Sequence, residues 1–207
     1  KQSRAAWHCP GLLRCARNDG GGESGTTRPR PHRAIRRVSW TSKSTSKNPG
    51  DAATDWADLA QAALEALVTL APELDNERLT TSLLFTSDAE VHVLNREWRA
   101  RTSRPTCSRS PCWSARALLD LDEDGPPEML GDLALACETC TREAAEKGIP
   151  VEHHATHLII HGLLHLAGHD HETSDEDAEA MEALETKALA VLGIPDPYGD
   201  RTAATGI

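Results

Sequence analysis

The chain has 207 residues, a formal net charge of −10 and 39% hydrophobic residues. This composition excludes a protein that crosses the bilayer through helices, because no segment approaches the roughly 20 consecutive apolar residues that such a helix needs. About 150 residues follow residue 50, which is enough for one domain with one hydrophobic core. We therefore predict a single domain over residues 51–200, between a tail of residues 1–50 and a C-terminal tail of residues 201–207.

The N-terminal tail is basic, whereas the rest of the chain is acidic. Its first 47 residues hold eleven Lys or Arg against two Asp or Glu. Basic arms often bind nucleic acid, but this one is rich in Gly, Ser, Thr and Pro and has little apolar periodicity, which predicts disorder. No continuous apolar run follows its positive residues, so we expect no secretory signal peptide there.

The first half of the domain predicts two helices around a strand. Asp55 is expected to cap a helix with an apolar period near 3.6 residues, which Pro72 ends. Residues 79–86 are typical of a strand, and Ser87 or Asp88 is expected to cap a second helix with Arg99 at its exit. The apolar face of the first helix is predicted to comprise Trp56, Leu59, Ala63, Leu67 and Leu70.

The second half predicts one strand and three helices, bounded by residues that cap or break helices. The strand is residues 130–136, after an acidic, proline-bearing loop of residues 121–127. Helices around a small mixed sheet make an α+β fold. The first helix begins at Thr139 or Thr141 and ends at Lys147, and the second covers about residues 152–167. The third is capped by Ser174 or Asp175. Its apolar face is predicted to comprise Ala178, Met181, Leu184, Ala188 and Val191.

The segment HGLLHLAGHDH, residues 161–171, has the spacing of a metal site. His161 and His165 are four residues apart, so one face of a helix can present both imidazoles to one ion. Gly168 tolerates left-handed backbone angles and can end the helix, and the returning chain would bring in His171. Three imidazoles leave one position of a zinc ion open for water, as in catalytic zinc sites. The sequence therefore predicts a hydrolase that binds one zinc ion per chain through His161, His165 and His171.

A solvated polar helix face is the alternative to a metal site. The apolar residues between the histidines favour a mostly buried helix, in which imidazoles need partners. His157 lies one turn before His161 and is the weaker ligand candidate, whereas His169 is interpreted as a rim residue or substrate contact. Asp170 is a candidate for orienting a ligand imidazole. Imidazole also suits copper, iron and nickel, so the residues alone leave the metal open.

The six cysteines do not indicate a disulfide scaffold. Cys137 and Cys140 form a CxxC pair, which alone could indicate redox chemistry or zinc. No second pair completes a site of four thiolates, and we interpret these residues as reduced thiols of a cytoplasmic protein.

The histidine segment is similar to the signature of the YbeY family of zinc-dependent endoribonucleases, which act in ribosomal RNA maturation. LNREWR at residues 94–99 resembles the helix end that bears the functional arginine of that family, and LGDLALA at residues 130–136 resembles the strand beside its site. The resemblance covers roughly residues 55–198 and departs at His169, where the family usually has Tyr. It implies a zincin-like α+β fold, with Arg99 and His165 as catalytic residues and zinc as the cofactor.

The resemblance also implies a substrate and partners. The substrate is expected to be single-stranded RNA, including small-subunit ribosomal RNA ends, and the partners are the small ribosomal subunit and its proteins in the cytoplasm, with no membrane and no DNA. The acidic net charge counts against RNA binding, although it governs long-range steering rather than a local cleft. Arg96, Arg99 and Arg101 are candidates for a local positive rim, and Arg99 for bidentate contact with a phosphate. A structural salt bridge is the alternative for Arg99.

One segment interrupts the resemblance. After LNREWR the family continues with PTxVLSFP, a strand along the cleft, whereas this chain reads RTSRPTCSRSPCW. With suitable codons, residues 102–111 read two bases later spell Lys-Pro-Thr-Asn-Val-Leu-Ser-Phe-Pro, and residues 40–50 likewise spell Asp-Val-Glu-Val-Asp-Val-Glu-Glu-Ser-Gly, an alternation typical of a strand. We hypothesise that both stretches are out-of-frame translations, which would put the activity of this chain in doubt. A diverged loop and a natural basic tail are the alternative.

Two other functions compete with the nuclease. The spacing HxxxHxxGxxH also occurs in zinc peptidases, but those have Glu directly after the first His as the general base. This chain has Gly162 there, which disfavours a peptidase. The second competitor is a zinc-stabilised ribosome-assembly factor without hydrolytic activity, which the loss of the PTxVLSFP strand would favour.

Overall fold

The fold is known from a computed structural model that describes residues 12–15, 38–42, 55–102, 113–169, 171 and 174–199, with the backbone alone for 12–15, 38–42 and 97–102. Helices and a small sheet alternate along the chain, so the α+β class predicted from the sequence is confirmed. A short 3-10 helix, Pro72–Leu74, follows the first α-helix. The main elements are β1 (Leu12–Cys15), β2 (Val38–Ser42), α1 (Trp56–Val68), β3 (Leu79–Thr86), α2 (Asp88–Thr102), α3 (Ala115–Leu119), β4 (Glu128–Ala136), α4 (Cys137–Lys147), α5 (Val151–Leu166) and α6 (Asp175–Val191).

The sheet is mixed and has the strand order β1-β4-β3-β2. β4 pairs parallel with β3 and antiparallel with β1, and β2 pairs parallel with β3. β1 and β2 lie within the tail for which the sequence predicts disorder, and they are strands because they complete the backbone hydrogen bonds at the two free edges of β3 and β4. The other residues of that tail, and residues 201–207, lie outside the described part of the chain.

Successive side chains of β3 and β4 point to opposite faces of the sheet, as in any strand. Leu83 and Leu133 belong to the main hydrophobic core with residues of α1, α5 and α6. Leu84 and Ala134 face the other way and pack with Val91 of α2 in a smaller cluster. Helices therefore cover both faces of the sheet, and most of the apolar surface is buried on the side of α5.

Helix α5 is the central helix of the larger core. It contacts α1, α4, α6 and β4, and every residue from 154 to 165 is buried. The prediction of a mostly buried histidine helix is confirmed. Polar side chains on such a helix need hydrogen-bond partners or an ion within the protein.

Some helix boundaries and faces differ from the predictions. Helix α2 continues to Thr102, so Arg99 lies in its last turn rather than at its exit. Helix α4 begins at Cys137, before the predicted Thr139 or Thr141, and α3 was not predicted. The predicted face of α6 is wrong at its end because Val191 is 60% exposed. The buried residues of α6 are Met181, Glu185, Ala188 and Leu189.

The early start of α4 has a tertiary cause. The backbone N–H of Thr139 donates to Oδ1 of Asp88 at 3.0 Å, and the Thr139 hydroxyl donates to Oδ2 at 2.9 Å. In return the backbone N–H of Asp88 donates to Oε2 of Glu138 at 2.8 Å. The first turns of α2 and α4 therefore cap each other. Because each cap lies about 50 residues in sequence from the helix that it caps, a local capping pattern cannot reveal it. None of the described helices combines the length and apolar character that crossing a bilayer requires.

Candidate metal centre

Three imidazoles meet at the end of α5. The ring centroids of His161 and His165 are 4.5 Å apart, and the ring of His171 lies 5.4 Å and 4.9 Å from them. One ring nitrogen of each residue lies within 4.8 Å of the other two. His161 and His165 are buried, and His171 is half-buried. The structure thus brings together the three residues that the spacing singled out, and we refer to them as the histidine cluster.

The turn after α5 makes this arrangement possible. The backbone N–H of Gly168 donates to the carbonyl of His165 at 3.1 Å, and that of His169 donates to Leu164 at 3.0 Å, which is the Schellman pattern of a helix C-terminus. Gly168 has φ +93°, and a Cβ there would lie 2.4 Å from the carbonyl oxygen of Trp113. The position therefore needs glycine for both its backbone angle and its close contact, and the predicted end of the helix at this glycine is confirmed.

Hydrogen bonds determine which nitrogens of the cluster carry protons. Nδ1 of His165 donates to the backbone carbonyl of His169 at 2.9 Å, and Nδ1 of His161 donates to Oε1 of Glu185 at 2.8 Å. A neutral imidazole carries one proton, so the Nε2 atom of each ring is an acceptor. These two Nε2 atoms face each other at 3.1 Å.

Two facing acceptors are a favourable arrangement only if a cation interacts with both. Imidazole nitrogens at about 2.0–2.1 Å from one tetrahedral zinc ion lie roughly 3.3 Å from each other, close to the separation in this structure. His171 provides a third imidazole on the more exposed side. The donor set therefore fits a metal ion that prefers nitrogen ligands.

Glu185 of α6 is hydrogen-bonded to one imidazole of the cluster. Burial favours the neutral carboxyl, but the hydrogen bonds from His157 and His161 outweigh it and lower the pKa of Glu185 well below its usual range. Its second oxygen, Oε2, accepts from Nε2 of His157 at 3.0 Å and from the hydroxyl of Tyr198. His157 is directed at Glu185 and Tyr198, with its ring centroid 6.4 Å from that of His161, so it is not among the converging nitrogens.

His169 lies in the turn between His165 and His171, and its backbone carbonyl contacts the cluster. Its Nε2 is 2.6 Å from Oε1 of Glu73, and its side chain is half-buried. The interpretation of His169 as a rim residue or substrate contact stays a prediction. Asp170 lies outside the described residues, and of Arg99 only the backbone is described.

Sequence reasoning missed three residues of this region, namely Glu73, Glu185 and Tyr198. A signal existed for Glu185, because it lies four residues after Met181 and three before Ala188, at an apolar position of the α6 period. An acidic residue at such a position indicates a buried partner. Nothing comparable marks Glu73 or Tyr198 in the sequence.

Comparisons with known proteins point to one family. The family model described as Endoribonuclease YbeY matches residues 42–193. A protein of that name from Erythrobacter litoralis is 60% identical over 148 residues, which cover 72% of this chain and 92% of the relative. Similar relatives occur in Novosphingobium aromaticivorans, at 53% identity with 72% and 89% of the two chains covered, and in Rhizorhabdus wittichii, at 46% with 70% and 88% covered.

The family match includes the histidine cluster, Glu185, and both LNREWR and LGDLALA. It begins at residue 42, so most of the basic tail lies outside it. The resemblance noted in the sequence is thereby confirmed, and the chain belongs to the endoribonuclease YbeY family, a family of hydrolases that act on RNA.

Proposed function

We propose that the protein is a zinc-dependent endoribonuclease that cleaves single-stranded RNA in the maturation of small-subunit ribosomal RNA and in ribosome biogenesis. The observation that carries this proposal is the convergence of the three imidazoles, with the Nε2 atoms of His161 and His165 facing each other at 3.1 Å beside His171. Membership of the endoribonuclease YbeY family supports RNA as the substrate.

Each residue of the site has a distinct proposed task. His161, His165 and His171 hold the zinc ion, which when bound supplies a Lewis acid and activates water near neutral pH. The carbonyl of His169 accepts the Nδ1 proton of His165 and so leaves Nε2 of that ring for the ion. The burial of His161 and His165 excludes solvent from one side, and the greater exposure of His171 leaves the other side open to a substrate. Arg99 is proposed to bind phosphate oxygens of the RNA in bidentate fashion.

The proposed setting follows the family. We propose a zincin-like arrangement of sheet and histidine helix, cytoplasmic single-stranded RNA as substrate, and the small ribosomal subunit with its proteins as partners. The chain has a formal net charge of −10, so attraction to RNA has to come from local basic groups such as Arg96 and Arg99 rather than from the overall field.

A peptidase is less well supported by the same site. Gly162 follows the first histidine of the cluster, where zinc peptidases with this spacing have the glutamate that serves as general base. The carboxylates of Glu73 and Glu185 are already hydrogen-bonded to imidazoles. Neither replaces the missing proton acceptor without breaking such a bond.

Cleavage of labelled RNA tests the proposal. Zinc-loaded protein is offered a single-stranded RNA and the same sequence as a duplex, together with the variants His165→Ala and His92→Ala. His92 is an exposed histidine on α2 and serves as the matched control. We expect cleavage of the single strand by the wild type and the control, and a loss of about 100-fold or more in His165→Ala.

The contrary outcomes separate the alternatives. Equal cleavage by the wild type and His165→Ala contradicts the metal mechanism. No cleavage by either, with retained binding to small ribosomal subunits, contradicts the nuclease and favours the assembly factor. Cleavage of an unfolded protein substrate in place of RNA favours the peptidase.

The out-of-frame hypothesis has its own test. The nucleotide sequence of the gene must spell the two shifted peptides in a neighbouring frame at residues 40–50 and 102–111. A protein in which these peptides replace the present segments is then expected to cleave RNA faster than the present chain. Unchanged cleavage, or a gene without those frames, contradicts the hypothesis.

A further inference from the structure

Glu185 places a carboxylate inside the protein core. Its side chain is only 1% exposed, and it shares the buried face of α6 with Met181, Ala188 and Leu189. A buried charge costs several kcal/mol unless hydrogen bonds and opposite charges compensate for it. The reason for a carboxylate at this position must lie in the groups that it contacts.

The two oxygens of this carboxylate have different partners. Oε1 accepts a hydrogen bond from Nδ1 of His161 at 2.8 Å. Oε2 accepts from Nε2 of His157 at 3.0 Å and from the hydroxyl of Tyr198. Tyr198 is itself held by Asp196, whose Oδ1 accepts from the Tyr198 backbone N–H at 2.8 Å. Glu185 therefore connects the turn that contains Tyr198 to one ring of the histidine cluster.

We propose that Glu185 is the positioning residue of the metal centre. By accepting the Nδ1 proton of His161, it keeps the Nε2 lone pair of that ring directed towards His165 and available for an ion. His157 and Tyr198 hold the other oxygen and prevent the carboxylate from rotating away. A carboxylate behind a ligand imidazole also makes the ring a stronger donor. This inference rests on the proposed metal-dependent function, but the hydrogen bonds belong to the protein alone.

The first test needs neither a metal nor a variant. The ¹⁵N chemical shifts of a histidine ring report which nitrogen carries the proton, and they are recorded on metal-free wild-type protein at about pH 8, where an ordinary imidazole is neutral. We expect the proton of His161 on Nδ1. A proton on Nε2 of His161 overturns the proposal, and a merely space-filling Glu185 would not select either nitrogen.

The second test compares zinc affinities by competition with a chromophoric chelator. Glu185→Gln keeps the shape of the side chain but removes its charge, and we expect it to bind zinc about 10- to 100-fold more weakly than the wild type. Glu176→Gln removes an exposed carboxylate from the first turn of the same helix and is expected to keep wild-type affinity. Circular dichroism checks that both variants are folded.

The outcomes distinguish this inference from the proposed function. If the wild type binds no zinc, the proposed function fails. If the wild type binds zinc and Glu185→Gln binds it equally well, the positioning role fails and the proposed function stands. If Glu185→Gln does not fold, the proton position in the wild type decides alone.

Discussion

The two buried histidines of the cluster are held by different means. Nδ1 of His165 donates to a backbone carbonyl only four residues further along the chain, which the turn at Gly168 brings into place. Nδ1 of His161 donates to the side chain of Glu185, 24 residues away on another helix. The position of one histidine thus depends on a local turn, and that of the other on the packing of α6 against α5. The candidate metal centre therefore combines one partner set by local sequence with one set by tertiary structure.

The largest expected effect comes from breaking the local partner. Gly168→Ala forces a side chain into a left-handed backbone and to within 2.4 Å of the Trp113 carbonyl oxygen. The backbone angle alone costs about 1–2 kcal/mol, and overpacking adds about 1–3 kcal/mol. We expect the free energy of unfolding, measured with urea, to fall by more than about 2 kcal/mol, with weaker zinc binding because the His169 carbonyl moves.

Gly148→Ala is the matched control for this change. Gly148 has φ +65° at the end of α4, and a Cβ there meets nothing within 4 Å. We expect only the backbone cost of about 1–2 kcal/mol, without an effect on zinc binding. Equal losses in both alanine variants would contradict the close contact at Gly168.

Like the contact between Glu185 and His161, the mutual capping of α2 and α4 joins residues that are far apart in sequence. Asp88→Ala removes both hydrogen bonds to Thr139, and we expect a loss of about 1–2 kcal/mol in the free energy of unfolding. Asp55→Ala removes the exposed local cap of α1, and we expect its loss in the free energy of unfolding to lie at the low end of that range. Chemical denaturation measures both variants. A smaller loss in Asp88→Ala than in Asp55→Ala would mean that the long-range cap contributes little.

His154 provides a contrast on the same helix, because one of its nitrogens is paired and the other is not. Nε2 lies 2.8 Å from Oε2 of Glu143, whereas Nδ1 is buried without a hydrogen-bond partner among the described residues. Burial lowers the pKa of His154, against the opposing influence of Glu143. A lowered histidine pKa gives stability that is present above about pH 6.5, the unfolded value, and is lost as the pH falls through the folded value.

We expect the stability of the metal-free protein to be moderately sensitive to acid. In metal-free protein, the free energy of unfolding should decrease between about pH 7 and about pH 5, and less steeply in His154→Gln than in the wild type. His92→Gln, at an exposed histidine, should leave the slope unchanged. Identical slopes in all three proteins would show that His154 does not titrate differently on unfolding.

The smallest effect is expected at the CxxC pair. Burial raises the pKa of the Cys140 thiol to about 12, so almost no thiolate is present near neutral pH. Iodoacetamide should modify Cys140 much more slowly than the half-buried Cys137, as followed by peptide mass spectrometry. Equal rates would contradict this. Slow modification agrees with inert thiols rather than redox chemistry, as the sequence suggested.

The sequence is most informative where structure is set locally. Strand β3 and the caps at Asp55 and Ser174 were predicted as they are observed, because apolar patterns and capping residues act within a few positions. Gly168 belongs to this group, since its backbone angle ends α5 where the motif indicated.

Prediction fails where a distant residue supplies the partner. The cap of α4 comes from Asp88, and the carboxylate behind His161 comes from Glu185. The assignment of Val191 to the buried face of α6 is wrong because that face runs through Glu185 and Leu189, which leaves Val191 directed to solvent. A polar residue at an apolar position of a helical period, such as Glu185 in α6, can therefore indicate a residue of the site.

Metal binding at the histidine cluster is tested most directly by the metal content of the protein after zinc loading and desalting, measured by inductively coupled plasma mass spectrometry. The wild type and His92→Ala are expected to retain one zinc ion per chain, and His161→Ala, His165→Ala and His171→Ala to lose it. A wild type without zinc, or three cluster variants that retain as much as the wild type, would contradict a metal centre at the histidine cluster.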